Sequence, residues 1–172
     1  MLSDLLKKYH VLFILSLTYI PLFKYFVRIN NEGGHPFLTG DWLISYKYGF
    51  VSKGLIGNLY INLLNKPDLL LDLISGLVIL IYLFIFYFLN QIFLNYKQNF
   101  LSYVIIFSPA TFLFPILDSQ GAFRKEIIGI LSLVMLAGYI KSNNLNFLLL
   151  SSIIYTVGIF SHAVNLFFLS SI

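Results

Sequence analysis

Past Asp72 the chain runs to Leu94 without a charged side chain, interrupted only by Ser75, Gly76, Asn90 and Gln91. As an α-helix this stretch is about 33 Å long at ~1.5 Å per residue, more than the ~30 Å of hydrocarbon in a bilayer. A segment of that kind must be buried in a large protein core or in lipid. The rest of the chain does not offer the first option. Of its 172 residues 59% are hydrophobic and only 10% charged, against about 25% charged in a soluble domain. So few charges cannot cover the surface of a globular chain of this size, and the expected solvent is the bilayer. A soluble enzyme, a disordered tail and a nucleic-acid-binding domain are thereby excluded; a net charge of +4 is too dilute for a basic patch. The lack of cysteine excludes a disulfide framework, a thiolate nucleophile and a Cys-ligated metal.

Five apolar runs carry helix-type composition without strand alternation. The first, residues 9–27, follows Lys7 and Lys8 and has a core that would also suit a secretory signal. No alanine precedes Ala110, so no Ala-x-Ala cleavage site follows, and the run is read as an uncleaved span with Lys24 snorkelling to the interface. The second is residues 69–94. The third, residues 100–117, holds Pro109 and Pro115, which are expected to kink it while Ser108 and Thr111 satisfy the freed backbone groups. The fourth, residues 127–140, is charge-free between Glu126 and Lys141. The fifth is residues 147–172, with His162 and Asn165 inside it. The expected fold is therefore all-α: a polytopic membrane bundle of about five transmembrane helices, forming a single membrane domain over residues 1–172. The chain stops without a charged or aromatic interfacial flank, so it is read as the N-terminal part of a longer polytopic protein. The first helix and the short basic segments favour a cytoplasmic N-terminus.

Polarity gathers in three places. The loop 28–68 carries Glu32-Gly33-Gly34-His35-Pro36, Thr39-Gly40-Asp41-Trp42 and Gly49-Phe50-Val51-Ser52-Lys53-Gly54-Leu55-Ile56-Gly57. Over residues 50–64, polar and apolar positions are spaced for a helix lying in the membrane interface, with Trp42, Tyr46, Tyr48 and Tyr60 as headgroup-level anchors. Either the loop is a membrane-hugging connector, or Asp41 is a working carboxylate and Lys53 faces an anion among glycines that let the backbone approach a ligand. The turn 118–126 contains Asp118 and the adjacent Arg124-Lys125-Glu126. It is either an ordinary charged turn or a phosphate site helped by the helix N-terminus. The third place is His162, with Asn165 three residues on and on the same helix face; it reads as a packing histidine or as part of a site. With the N-terminus inside, Asp41, Lys53, Asp118, Arg124, Lys125 and His162 all reach the outer interface. No Walker loop, HExxH, GxSxG or paired Asp-x-Asp is present, and no cofactor or metal is expected.

The strings Gly40-Asp41-Trp42-Leu43-Ile44-Ser45-Tyr46 and 49–57, together with Arg124-Lys125-Glu126, resemble those of bacterial multispanning surface-polysaccharide proteins. These are the O-antigen or capsule polymerase-like proteins, akin in logic to membrane glycosyltransferases that use polyprenyl-linked sugars. The resemblance covers three short patches. It implies an inner-membrane protein acting at the outer face, with a polyprenyl-(pyro)phosphate-linked glycan and membrane lipid as partners and no nucleic acid. In that chemistry Asp41 is the candidate base, His162 orients a reacting group, and Lys53, Asp118, Arg124, Lys125 and Glu126 form the substrate-binding set. The competing expectation is a non-catalytic polytopic component, such as a transporter or assembly-subunit fragment.

Overall fold

The computed structural model describes residues 8–47, 49, 51, 53–63, 67–94, 100–108 and 111–165. Among these there are eight helices and no strand: α1 (His10–Asn31), α2 (Gly40–Leu43), α3 (Leu55–Leu63), α4 (Pro67–Leu94), α5 (Phe100–Ile106), α6 (Phe114–Leu117), α7 (Glu126–Ser142) and α8 (Leu145–Ser161). Two of them, α1 and the 69–94 part of α4, are long and apolar enough to cross a membrane. Their outward faces carry exposed Phe13, Ile14, Leu17, Ile20, Leu80, Leu83 and Phe84. A soluble chain rarely leaves so much contiguous apolar surface uncovered.

α1 and α4 pack through aromatic side chains, with Tyr19 against Tyr82 and Phe86 at centroid distances of 5.1 and 4.8 Å. α1 holds its course through Pro21 and ends where Gly33 and Gly34 take positive φ, which residues with a Cβ rarely tolerate. Their amides bond back to Asn30 and Ile29 carbonyls at 3.1 and 2.9 Å. α7 and α8 form a hairpin around Asn143, in the left-handed region at φ 53°, and Asn144, whose side chain accepts from the Asn146 amide at 3.0 Å. Small residues keep this hairpin tight; Ser151 Oγ donates to the Ser132 carbonyl at 2.8 Å.

The four long helices are level at one end. Asn90 on α4 donates to the Lys8 carbonyl at 3.0 Å and accepts the Leu12 amide at 3.3 Å. Lys141 on α7 donates to the Gln91 and Ile92 carbonyls at 3.2 and 3.3 Å. From that level α1 extends through 22 residues, whereas α7 and α8 have 17 each. At ~1.5 Å per residue the shorter pair therefore stops about 8 Å below the far end of α1. The stack of Phe123, just before α7, on Phe26 (4.0 Å, interplanar 10°) marks the same level. The loop after α1 fills the recess.

Two sequence expectations are corrected here. Residues 100–117 are not one kinked helix but two short ones, α5 and α6. Thr111 Oγ1 is within reach of the Ile106 and Ser108 carbonyls, at 3.1 and 3.2 Å, and its one proton serves one acceptor at a time, while Tyr19 donates to the Phe112 carbonyl. Side-chain hydroxyls thus take up some of the carbonyls that the break frees from helical bonding. The fifth run also ends early as a helix, at Ser161; residues 166–172 lie outside the described residues. The interfacial helix expected over 50–64 corresponds to α3, where Ile56 and Tyr60 are buried.

Candidate functional site

Asp41 sits in the one-turn helix α2. Ahead of it, Thr39 Oγ1 accepts the His35 amide at 2.7 Å and donates to the His35 carbonyl at 2.9 Å, closing the turn. Trp42, fully buried, donates its indole N–H to the Phe123 carbonyl at 2.6 Å. This bond fastens α2 to the turn that carries Arg124, and it corrects the reading of Trp42 as a headgroup anchor; buried Tyr60 is corrected likewise.

Glycines bring the next segment alongside. A Cβ on Gly57 would fall 2.0 Å from the Ile44 carbonyl oxygen, and one on Gly54 would fall 2.4 Å from the Tyr46 ring. These glycines admit neighbouring protein, not a ligand as the sequence suggested. Their effect is to seat Lys53 beside Asp41, with Nζ 3.8 Å from Oδ1. Lys125, fully buried at the start of α7, donates to the Lys53 carbonyl at 2.7 Å and locks that position from below.

α8 delivers His162. It does not continue the helix but caps it in extended backbone at φ −159°, its amide bonded to the Gly158 carbonyl at 2.8 Å. Asn165 therefore does not share a helix face with it. Asn165 folds back to donate to that same Gly158 carbonyl at 2.8 Å and serves as a helix cap. The His162 Nδ1 accepts the Val164 amide at 3.3 Å, which leaves the proton of the neutral ring on Nε2. That nitrogen faces Glu126 Oε1 at 3.7 Å. His162 is thus a donor toward the site, and its free lone pair is already used.

Asp41, Lys53, Arg124 and His162 line one cavity of about 350 Å³, with Pro36, Phe37, Gly40 and Ile44 completing the wall. Lys125 and Glu126 stand behind it rather than in its lining. Asp118 is elsewhere: its Oδ1 accepts the Gly121 amide at 3.0 Å and closes the turn, which corrects its place in the substrate-binding set. Phe37 went unnoticed in the sequence, and Pro36 and Ile44 stood there only within longer strings; only closeness to Asp41 marks them as cavity wall.

The electrostatics follow from burial. Lys125 is pushed down to about 8 by desolvation, with Asp41 and Glu126 opposing the shift and Lys53 adding to it. His162 is lowered by desolvation, against the pull of Glu126, and so stays neutral near pH 7. Asp41 Oδ2 and Glu126 Oε2 are buried without a hydrogen-bond partner, which is a costly state. Among the described residues no three His, Asp or Glu side chains are grouped to hold a metal ion. The arrangement can take an anion on Lys53 and Arg124 and accept a proton at Asp41. No protein family model matches the chain, and neither the curated proteins nor the solved structures contain a significant match to it.

Proposed function

We propose that the protein is a multi-pass inner (plasma) membrane protein that transfers or polymerises lipid-linked sugars at the outer face. In this reading α1, α4, α7, α8 and the interrupted segment 100–117 make five crossings, and the cavity opens at the outer interface. The observation that carries it is the convergence of Asp41 and Lys53 from the loop after α1, Arg124 from the turn before α7 and His162 from the end of α8 on one recessed cavity. Ionisable groups are expensive next to hydrocarbon and gather where they are used.

The chemistry then follows from the contacts. An acceptor hydroxyl gives its proton to the Asp41 carboxylate while its oxygen attacks the anomeric carbon of the donor. The bond from that carbon to the phosphate oxygen breaks, and its electron pair leaves with the polyprenyl phosphate. Arg124 and Lys53 meet the developing negative charge. Because Lys53 is the present partner of Asp41, a phosphate that draws Lys53 away frees the base as the donor binds. His162 donates from Nε2 to hold a sugar or phosphate oxygen.

The test is a glycan ladder from native membranes carrying wild type or Asp41→Asn, with protein abundance matched. Loss of chain extension in the variant is expected; a normal ladder removes Asp41 as base and overturns the mechanism. Single cysteines at Ser45 and Ser119 test the topology in a chain with no native cysteine, and both should label with a membrane-impermeant reagent in intact cells. The second reading, a non-catalytic component of a transport assembly, draws on the interrupted segment, since transporters place substrate at broken helices. Against it, the Thr111 and Tyr19 hydroxyls already point into carbonyls of this break.

A further inference from the structure

The charges around the cavity do not cancel, and the remainder selects a ligand. Two carboxylates, Asp41 and Glu126, stand among three cations, Lys53, Arg124 and Lys125. Lys53 faces Asp41 at 3.8 Å. Lys125 is buried behind it, in the field of Glu126 as well as Asp41. His162 is neutral, with Nδ1 occupied by the Val164 amide. One positive charge is left over. It belongs to Arg124, which is exposed on the cavity wall and has no carboxylate partner among the described residues.

A guanidinium presents two parallel N–H groups, a fork that fits two oxygens sharing one negative charge. A phosphodiester offers that pair. A pyrophosphate brings a second negative charge into a cavity whose wall includes the largely buried Asp41 carboxylate, and like charges at such a site repel strongly because water screens them poorly. At about 350 Å³ the cavity lies at the small end of the ~300–1,000 Å³ range of ligand sites, which is room for a phosphorylated sugar headgroup rather than for a long glycan.

We propose that the cavity takes the singly charged phosphodiester headgroup of a polyprenyl-monophosphate-linked single sugar, in preference to a pyrophosphate-linked one. This rests on the reading of the cavity as a lipid-linked sugar site.

The experiment is equilibrium binding to the full chain in nanodiscs, with three probes: polyprenyl-phosphoryl-glucose, polyprenyl-diphosphoryl-glucose and the soluble glucosyl methyl phosphate. The monophosphate lipid should bind about tenfold or more tightly than the diphosphate lipid, a difference of roughly 1.4 kcal/mol. Asp41→Asn, which adds one net positive charge, should shrink or reverse that ratio, and Arg124→Gln should weaken the monophosphate lipid by about tenfold. Equal or tighter binding of the diphosphate lipid to wild type overturns the charge selection while leaving a lipid-linked sugar site in place. A ratio unmoved by Asp41→Asn overturns it too. Soluble glucosyl methyl phosphate binding as tightly as the lipid assigns the cavity to a free sugar phosphate and overturns the lipid headgroup. Binding of none of the three overturns the underlying function instead. The wild-type ratio decides the matter even where a variant fails to fold.

Discussion

The two ends of the helix bundle spend their polar groups in opposite ways. At the level end, Asn90 joins α4 to the start of α1, Lys141 caps the last carbonyls of α4, and Asn143 and Asn144 close the α7–α8 hairpin. His10 and Tyr103 pair there at 3.0 Å. At the recessed end, Asp41 Oδ2, Glu126 Oε2, Asn30 Oδ1, Tyr60 OH and Asn165 Oδ1 are buried without hydrogen-bond partners. Every such orphan among the described residues is at that end. The polar groups at the level end are paired within the fold, whereas at the recessed end even Asn165, which caps α8, keeps an unpaired oxygen. Helix length sets up the difference: α7 and α8 end short of α1, and the gap is filled by a loop that carries charge.

If the comparison is right, substitutions at the recessed end change chemistry and those at the level end change only stability. The largest effect is expected from Asp41→Asn, which should lower sugar transfer by about 100-fold or more with the thermal midpoint in detergent unchanged; a fall in midpoint matching the loss of activity would erase the distinction. Next comes the pH dependence of stability. Lys125 holds its proton only to about 8 in the folded protein and to 10.5 when unfolded. Between those values the unfolded chain binds more protons, so stability should rise with pH across that window and be insensitive to this group below it. Lys125→Met should flatten that rise in a pH series of thermal midpoints.

Trp42→Phe leaves the Phe123 carbonyl buried and unpaired and should cost about 1–3 kcal/mol, read as a lower midpoint together with weaker transfer, because α2 then loosens. Asn90→Leu at the level end should cost about 1 kcal/mol through the lost contacts to Lys8 and Leu12, with transfer untouched; lost transfer would show that the two ends are coupled. The smallest change is expected from Asp118→Ala. Losing one half-buried turn bond to Gly121 should cost about 1 kcal/mol or less, and binding of polyprenyl-phosphoryl-glucose should be unaffected.

Much of this was legible in the residues, for different reasons. Charge-free runs announce helices because an apolar backbone has nowhere else to place its N–H and C=O groups, and 69–94 and 127–140 lie close to α4 and α7. Asp41, Lys53, Arg124 and His162 stood out as ionisable groups in a charge-poor chain, and the structure lines one cavity with all four. Other features escaped. The break between α5 and α6 depends on Tyr19, some ninety residues away in sequence, offering a hydroxyl to the Phe112 carbonyl. The end of α8 at Ser161 depends on Asn165 turning back to Gly158. The glycines at 54 and 57 looked like room for a ligand because a sequence does not say which neighbour fills the space of a missing Cβ.

The sequence by itself determined the class of the chain. Among the described residues it is all-helical, with two charge-poor runs long and apolar enough to cross a membrane, because in a helix each backbone group finds its partner within its own segment. Which polar groups close the fold and which face a cavity was decided by the tertiary structure alone. Asp118 and Asp41 are the same residue type in similar loops, yet one bonds the amide three residues on while the other meets a lysine twelve residues away. That difference comes from the lengths and packing of α1, α7 and α8, which no single stretch of sequence contains.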